Sequence, residues 1–231
     1  MTQPHSHICH IVVAGGSGSR FGAELPKQLC PLMGRPVLMH TIDSFRAATP
    51  GAQIIVAMHP AYMDVWRDMC AESSYASPLV VAGGSTRWES VRNALAAVDS
   101  QADVITVHDA ARPLVDPSLI RRVVSAVESG ATGAIPVIAV TDSLRRVNGE
   151  SGASQAADRS QFRAVQTPQG FPARLLRKAY SLPFSPGFTD DASVMEAAGF
   201  GPLTLVEGSP YNIKITHPAD IEIAALLASH L

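Results

Sequence analysis

The 231-residue sequence predicts an α/β fold, a mostly parallel sheet flanked by helices on both faces. Three observations predict it. Short apolar runs alternate with helix-patterned segments from the first residues onward. Three of those runs end directly in Gly-Gly or in an aspartate, as strands do where they open into ligand-binding loops. Apolar residues make up 46 % of the chain, enough to fill a core on two sides of a sheet.

The elements follow in order. Residues 8–14 form a buried-strand run that ends at Gly15 and Gly16. Residues 36–48 have helical spacing, with Val37, Met39, His40, Ile42 and Phe45 on the apolar face. A β-rich run at 53–58 is followed by a helix near 61–71. A short strand at 79–82 closes at Gly83 and Gly84, and 85–98 reads as a helix with Val91, Leu95 and Val98 on one face. Residues 103–108 are a strand leading to Asp109. The helix at 117–129 starts behind Asp116 as N-cap, with proline at its first position. A strand at 134–140 follows, and the core resumes at 163–167. Helices are expected near 172–180, 190–198 and 218–229.

The alternation breaks between Ser143 and Phe162. Residues 143–147 read as a strand, Asn148-Gly149 as a turn, and 150–157 as small and polar, so an extended hairpin arm is expected. It has too few large apolar residues to fold alone and should pack on something else, a second subunit included. A plain surface loop is the competing reading. The whole of 1–231 is read as one domain, with 143–162 as its arm.

Formal net charge is −2, which offers no global basic field for a nucleic acid or a membrane surface, so any anion site must be local. No stretch approaches the roughly 18 apolar residues of a membrane span, and the N-terminus lacks a signal-peptide core. Cys9, Cys30 and Cys70 are few, odd in number and far apart, which argues against a zinc site or a disulfide framework and for a reducing, cytoplasmic setting. His5, His7, Cys9 and His10 match no closed zinc spacing.

The chemistry is expected at the glycine loop. In Gly15-Gly16-Ser17-Gly18-Ser19-Arg20-Phe21-Gly22 the glycines let backbone N–H groups approach phosphate oxygens. A Walker A loop would need Gly-Lys-Ser/Thr, whereas Lys27 here lies between Pro26 and Gln28. A dinucleotide fingerprint would need a third glycine on an immediate helix, but position 21 is phenylalanine and Pro26 keeps Leu25 extended. That leaves a long phosphate-wrapping loop whose Arg20 and Lys27 can stabilise charge on a phosphorus under attack.

At this point the sequence resembles a known family. Gly16-x-Gly18-x-Arg20-x-Gly22 followed by Pro26-Lys27-Gln28 resembles the nucleotidyltransferase superfamily signature. His108-Asp109-Ala110-Ala111-Arg112-Pro113 after a strand is similar to the motif of the 2-C-methyl-D-erythritol 4-phosphate cytidylyltransferase family. Gly83-Gly84 with Arg87 and Ser90, Thr167-Pro168-Gln169, Thr189-Asp190-Asp191-Ala192-Ser193 and Asn212-Ile213-Lys214-Ile215-Thr216 match in order. The departures are Gly15, where the family usually has alanine, Ser85, where an acidic residue is common, and Ser143, where threonine is common.

The resemblance implies a Rossmann-like sheet of the nucleotide-diphospho-sugar transferase type, and transfer of CMP from CTP to a sugar-alcohol phosphate with release of pyrophosphate. It implies Arg20 and Lys27 as transition-state stabilisers and Lys214 as a third cation at the triphosphate. Ala14, Gly15, Gly16, Gly18, Gly84, Ser85, Ser90, Asp109 and Ala110 would bind the nucleotide. Asp109 is the expected Mg²⁺ contact, a hard carboxylate beside phosphates, with a salt bridge to Arg112 or an N-cap as the competing role. Asp142, Ser143, Arg159, Thr167 and Thr189 would bind the polyol phosphate, although the two threonines also precede expected helices that they could cap. In the family the arm crosses to a partner subunit, so a homodimer is implied. A ribitol 5-phosphate cytidylyltransferase and a non-catalytic nucleotide sensor are the alternatives. No fused second enzyme is expected.

Overall fold

The computed structural model describes residues 6–16, 25–149 and 152–230. Strand β1 (Ile8–Ala14) is flanked in parallel by β4 (Gln53–Met58) and β6 (Val104–Asp109), and β5 (Leu79–Ala82) extends the sheet beside β4. Between β1 and β4 lie a small hairpin, β2 (Pro31–Leu32) and β3 (Arg35–Pro36), and helix α1 (Val37–Ala48). Helix α2 (Met63–Glu72) precedes β5, α3 (Arg87–Leu95) precedes β6, and α4 (Pro117–Glu128) leads to β7 (Ala134–Ala139).

Beyond β7 the chain forms β8 (Leu144–Asn148), β9 (Ala153–Ala157), β10 (Arg163–Val165) and β11 (Gln169–Pro172). Helices α5 (Ala173–Ala179) and α6 (Asp191–Ala197), strand β12 (Thr204–Glu207) and helix α7 (Ala219–Ala228) complete it. The main sheet runs β10-β7-β11-β6-β1-β4-β5, with β12 also paired in parallel to β7. Both β10 and β11 are antiparallel to their neighbours.

Alternation along the strands divides the core. Val12 and Val56 point to the face covered by α1, α2 and α4, where they meet Phe45, Trp66 and Val123. Ile11 and Ile55 point to the face covered by α3, α5 and α6, where they meet Trp88, Leu176 and Met195. Helix α4 starts as expected, with the Asp116 carboxylate accepting from Ser118 N and proline at the first position. A third cluster of Leu32, Val37, Leu114, Ile215 and Ala224 packs α7 and the 212–216 segment against the loop after β6.

The structure departs from the expectation in several places. Helix α3 is shorter than 85–98, because Thr86 takes the N-cap and its hydroxyl accepts from Glu89 N at 3.0 Å. Neither Thr167 nor Thr189 caps a helix: Asp190 makes the capping box of α6 with Ser193, and Thr167 leads into β11. The arm is a separate antiparallel hairpin with Leu144 opposite Ala157 and Asn148 opposite Ala153, so Asn148 belongs to β8 and not to the turn expected at 148–149.

Candidate active site

The loops after β1, β5 and β6 converge on one rim of the sheet, where they line a cavity of about 460 Å³. Of the residues expected to bind nucleotide or stabilise charge, Ala14, Gly15, Gly16, Lys27, Gly84, Ser85, Ser90, Asp109, Ala110 and Lys214 all line it. Gly18 and Arg20 lie outside the described residues.

The Ser90 hydroxyl ties the loop after β5 to the first turn of α3. It accepts from Gly84 N at 3.1 Å and donates to Thr86 O at 2.9 Å. A Cβ at Gly15 would stand 2.7 Å from this oxygen, and one at Gly83 2.9 Å, so both loops approach as closely as only glycine allows. Ser85 is turned toward α3: its N–H and hydroxyl both donate to Glu89 Oε2, at 2.7 and 2.6 Å. With its proton committed there, a ligand can meet only its carbonyl and the hydroxyl lone pairs.

Lys27 sits in a turn closed by Leu29 N donating to Pro26 O at 2.8 Å. The buried Gln28 beside it sends its amide to Ala14 O at 2.9 Å and Gly16 O at 3.2 Å, which ties that turn to the end of β1. Lys214 arrives from the far end of the chain. Ile215 N donates to Ala111 O at 2.8 Å and the Arg112 guanidinium to Asn212 O at 2.8 Å, so the 212–216 segment is pinned beside the Asp109 loop.

Asp109 is the electrostatic centre. Lys214 Nζ lies 2.8 Å from Oδ2, Arg87 Nε 3.3 Å from Oδ1, and Arg112 Nε 3.7 Å from Oδ2, an ion-pair distance too long for a hydrogen bond. Burial alone would raise this carboxyl, but Arg87, Lys214 and Arg112 outweigh it and hold it well below the usual carboxylate range. Among the described residues that line the cavity, Lys27, Arg87 and Lys214 face Asp109 as the one carboxylate, an excess of positive charge suited to a polyanion.

Thr167 reaches this centre from below. Its hydroxyl accepts from Asp109 N at 3.1 Å and bonds His108 Nδ1 at 2.9 Å. His108 Nε2 faces the Arg112 carbonyl at 3.2 Å, and a carbonyl can only accept, so Nε2 carries the proton and Thr167 donates to Nδ1. An ionised phosphate therefore finds no donor in the Thr167 hydroxyl, whose remaining capacity is to accept.

None of the residues expected to bind the polyol phosphate lines this cavity, Thr167 included: it is buried behind Asp109. Arg159 lies on a separate recess with Ala139, Val140, Thr141, Ser160 and Arg163, and its guanidinium donates to Thr141 O. Asp142 and Ser143 are exposed at the base of the arm, and Thr189 is exposed before α6.

A family model described as 2-C-methyl-D-erythritol 4-phosphate cytidylyltransferase matches residues 8–229. The chain belongs to this family. It is 45 % identical over 219 residues to the cytidylyltransferase of that name from Bacteroides fragilis, covering 94 % of this chain and 97 % of the relative. The corresponding Bacteroides thetaiotaomicron protein is 43 % identical over 218 residues, with the same coverage. The crystal structure of the Thermus thermophilus enzyme superposes with a TM-score of 0.73 at 33 % identity, covering 95 % of this chain and 98 % of that one.

For a cytidylyltransferase of this family, sequence reasoning passed over Gln28, Arg87 as a charge in the site, and Asp191. A signal for Arg87 was present. It occupies the first position of α3, where the helix dipole disfavours a cation, and such a residue calls for facing anions. They are Asp109 and Asp191, the latter 2.7 Å from Nη2 and fully buried. Gln28 and Asp191 stand inside the family-like runs 26–28 and 189–193, but nothing in those runs marks what they brace.

Proposed function

We propose that this chain transfers CMP from CTP to 2-C-methyl-D-erythritol 4-phosphate, yielding 4-diphosphocytidyl-2-C-methyl-D-erythritol and pyrophosphate on the non-mevalonate route to isoprenoid precursors. The observation that carries the reading is the meeting of Lys27, from the loop after β1, and Lys214, nearly two hundred residues later, on one cavity beside Asp109. A phosphate oxygen of the acceptor attacks the α-phosphorus of CTP as the bond to the pyrophosphate oxygen breaks. Both reactants are anions, so the protein's task is to neutralise and align them. Lys27, with Arg20 from the same loop, stabilises charge on the pentavalent centre, and Lys214 neutralises charge between the two phosphates. Ala14, Gly84, Ser85 and Ser90 bound the space for the cytosine, and Gly15, Gly16, Gly18 and Ala110 give backbone approach to the rest of the nucleotide.

The donor set fits a Mg²⁺ ion, which takes one or two carboxylates and fills its shell with phosphate oxygens and water. Asp109 would hold it, and the ion would supply further neutralisation of the triphosphate.

The β8–β9 hairpin and Arg159 belong to the acceptor side. Val147 is 64 % exposed, and Phe162 and Val165 also leave apolar surface uncovered at residues 143–165, which suits an arm laid on a second subunit. Asp142, Ser143 and Thr189 supply polar contacts to the acceptor, with Thr167 accepting from an acceptor hydroxyl. Three separated, buried free thiols suit the cytoplasm.

Pyrophosphate release from CTP and Mg²⁺ tests the reading. It is expected with 2-C-methyl-D-erythritol 4-phosphate and absent without an acceptor. Turnover with ribitol 5-phosphate alone would replace the acceptor, and nucleotide binding without turnover would make the chain a sensor. Arg159→Ala is expected to raise the KM for the polyol phosphate about tenfold or more while that for CTP moves less than threefold, since a charge-assisted phosphate contact is lost. Equal shifts would take Arg159 off the acceptor.

A further inference from the structure

Arg87 is held from both sides. Nη2 donates to Asp191 Oδ2 at 2.7 Å, and Nε lies 3.3 Å from Asp109 Oδ1. Asp191 is fully buried at the start of α6, and its second oxygen accepts from the Tyr180 hydroxyl at 2.6 Å. Tyr180 is itself buried and stacked on Trp88 at 5.8 Å between ring centroids. Both carboxylate oxygens of Asp191 are thus fixed in the interior, and the guanidinium they carry has one direction in which to point.

Asp109 divides its two oxygens. Oδ1 faces Arg87, and Oδ2 holds the Lys214 ammonium at 2.8 Å. Lys214 is a flexible side chain, 43 % exposed, and needs an external constraint to present its charge at one place. We propose that Arg87 is a positioning residue for the transfer: braced by Asp191 and Tyr180, it orients the Asp109 carboxylate and thereby sets where Lys214 stands at the phosphate cavity. A planar fork can serve two carboxylates at once, whereas a lysine at position 87 could reach only one. The proposal rests on the transferase reading above.

The test is a double-mutant cycle on Arg87 and Lys214, read as kcat and the two KM values for pyrophosphate release. Arg87→Met is expected to lower kcat about tenfold or more with the KM for CTP changed less than threefold, and Arg87→Lys to restore part of the loss. Adding Arg87→Met to Lys214→Met is expected to cost less than about twofold further, because groups that act as a unit are non-additive. Asp191→Asn is expected to lower kcat in the same direction and to show the same coupling, which decides the matter if Arg87→Met does not fold. Independent, multiplicative losses from Arg87 and Lys214, or an unchanged kcat in a folded Arg87→Met, would overturn the positioning role. A wild-type protein that releases no pyrophosphate with the erythritol phosphate would instead overturn the transferase reading.

Discussion

Lys27→Ala is expected to lower kcat by about two orders of magnitude or more, the size of effect seen when a preorganised charge stabiliser is removed. The reason is local. Lys27 lines the cavity in a turn whose shape is set by other groups, the Gln28 amide on Ala14 O and Gly16 O and the Leu29–Pro26 backbone bond. Removing the ammonium of this half-buried residue leaves those bonds intact and takes away only its charge, which also acts on Asp220, so thermal unfolding should move by only a few degrees. Arg20 of the same loop shares the centre, but two cations that act as a unit do not replace one another. Lys214 is already held by Asp109. Steady-state kinetics with both substrates varied, beside a melting curve, checks the expectation. A kcat within threefold of wild type would take Lys27 out of the chemistry.

The parallel half of the sheet was legible because β1 and β4 are almost wholly buried and read as continuous apolar runs, and the more exposed edge strand β5 is a short apolar run closed by two glycines. The runs at 8–14, 53–58 and 79–82 coincide with β1, β4 and β5. The antiparallel β11 was not legible: Gln169-Gly170-Phe171-Pro172 is four residues long and holds a glycine and a proline, both poor strand formers. The reason for that glycine is tertiary, since a Cβ at Gly170 would come within 2.5 Å of Val123 on α4. The site shows the same division. Residues that follow a strand directly, such as Gly84 and Asp109, could be placed at the rim from the chain order alone. Residues that act by bracing others, such as Gln28 and Asp191, stand in family-like runs, but their role is read only from what the fold shows they touch. The Ser85–Glu89 contact belongs to that second group, because it depends on where α3 begins.

Below neutral pH the folded state is expected to lose stability early, on account of two buried histidines. His10 and His108 are fully buried and lie on either side of Phe45, and burial pushes each from an ordinary 6.5 down to about 3. Burial decides the matter: at His108 the nearby Asp109 charge and the hydrogen bonds to Arg112 and Thr167 favour the charged ring, yet do not offset it. Thr49 donates to Phe45 O and so accepts from His10 Nε2, which leaves Nδ1 to accept from Thr106. His108 is arranged alike, with Nε2–H on Arg112 O and Nδ1 accepting from Thr167. Because the folded values lie below the unfolded ones, the unfolded chain binds more protons between about pH 6.5 and 3, and stability falls as pH drops through that window. Each histidine contributes up to about 1.4 kcal/mol per pH unit, so from pH 6.5 to 4.5 the pair removes roughly 5 kcal/mol, comparable to the whole stability of many domains. Above pH 6.5 the contribution is complete and flat. Denaturant unfolding at pH 7.5, 6.0, 5.0 and 4.5 checks this, and His108→Gln is expected to reduce the pH slope by about one proton. A stability unchanged between pH 7.5 and 5.0 would mean that these rings take up protons without unfolding, and the neutral pair beneath the Asp109 loop would have to be abandoned.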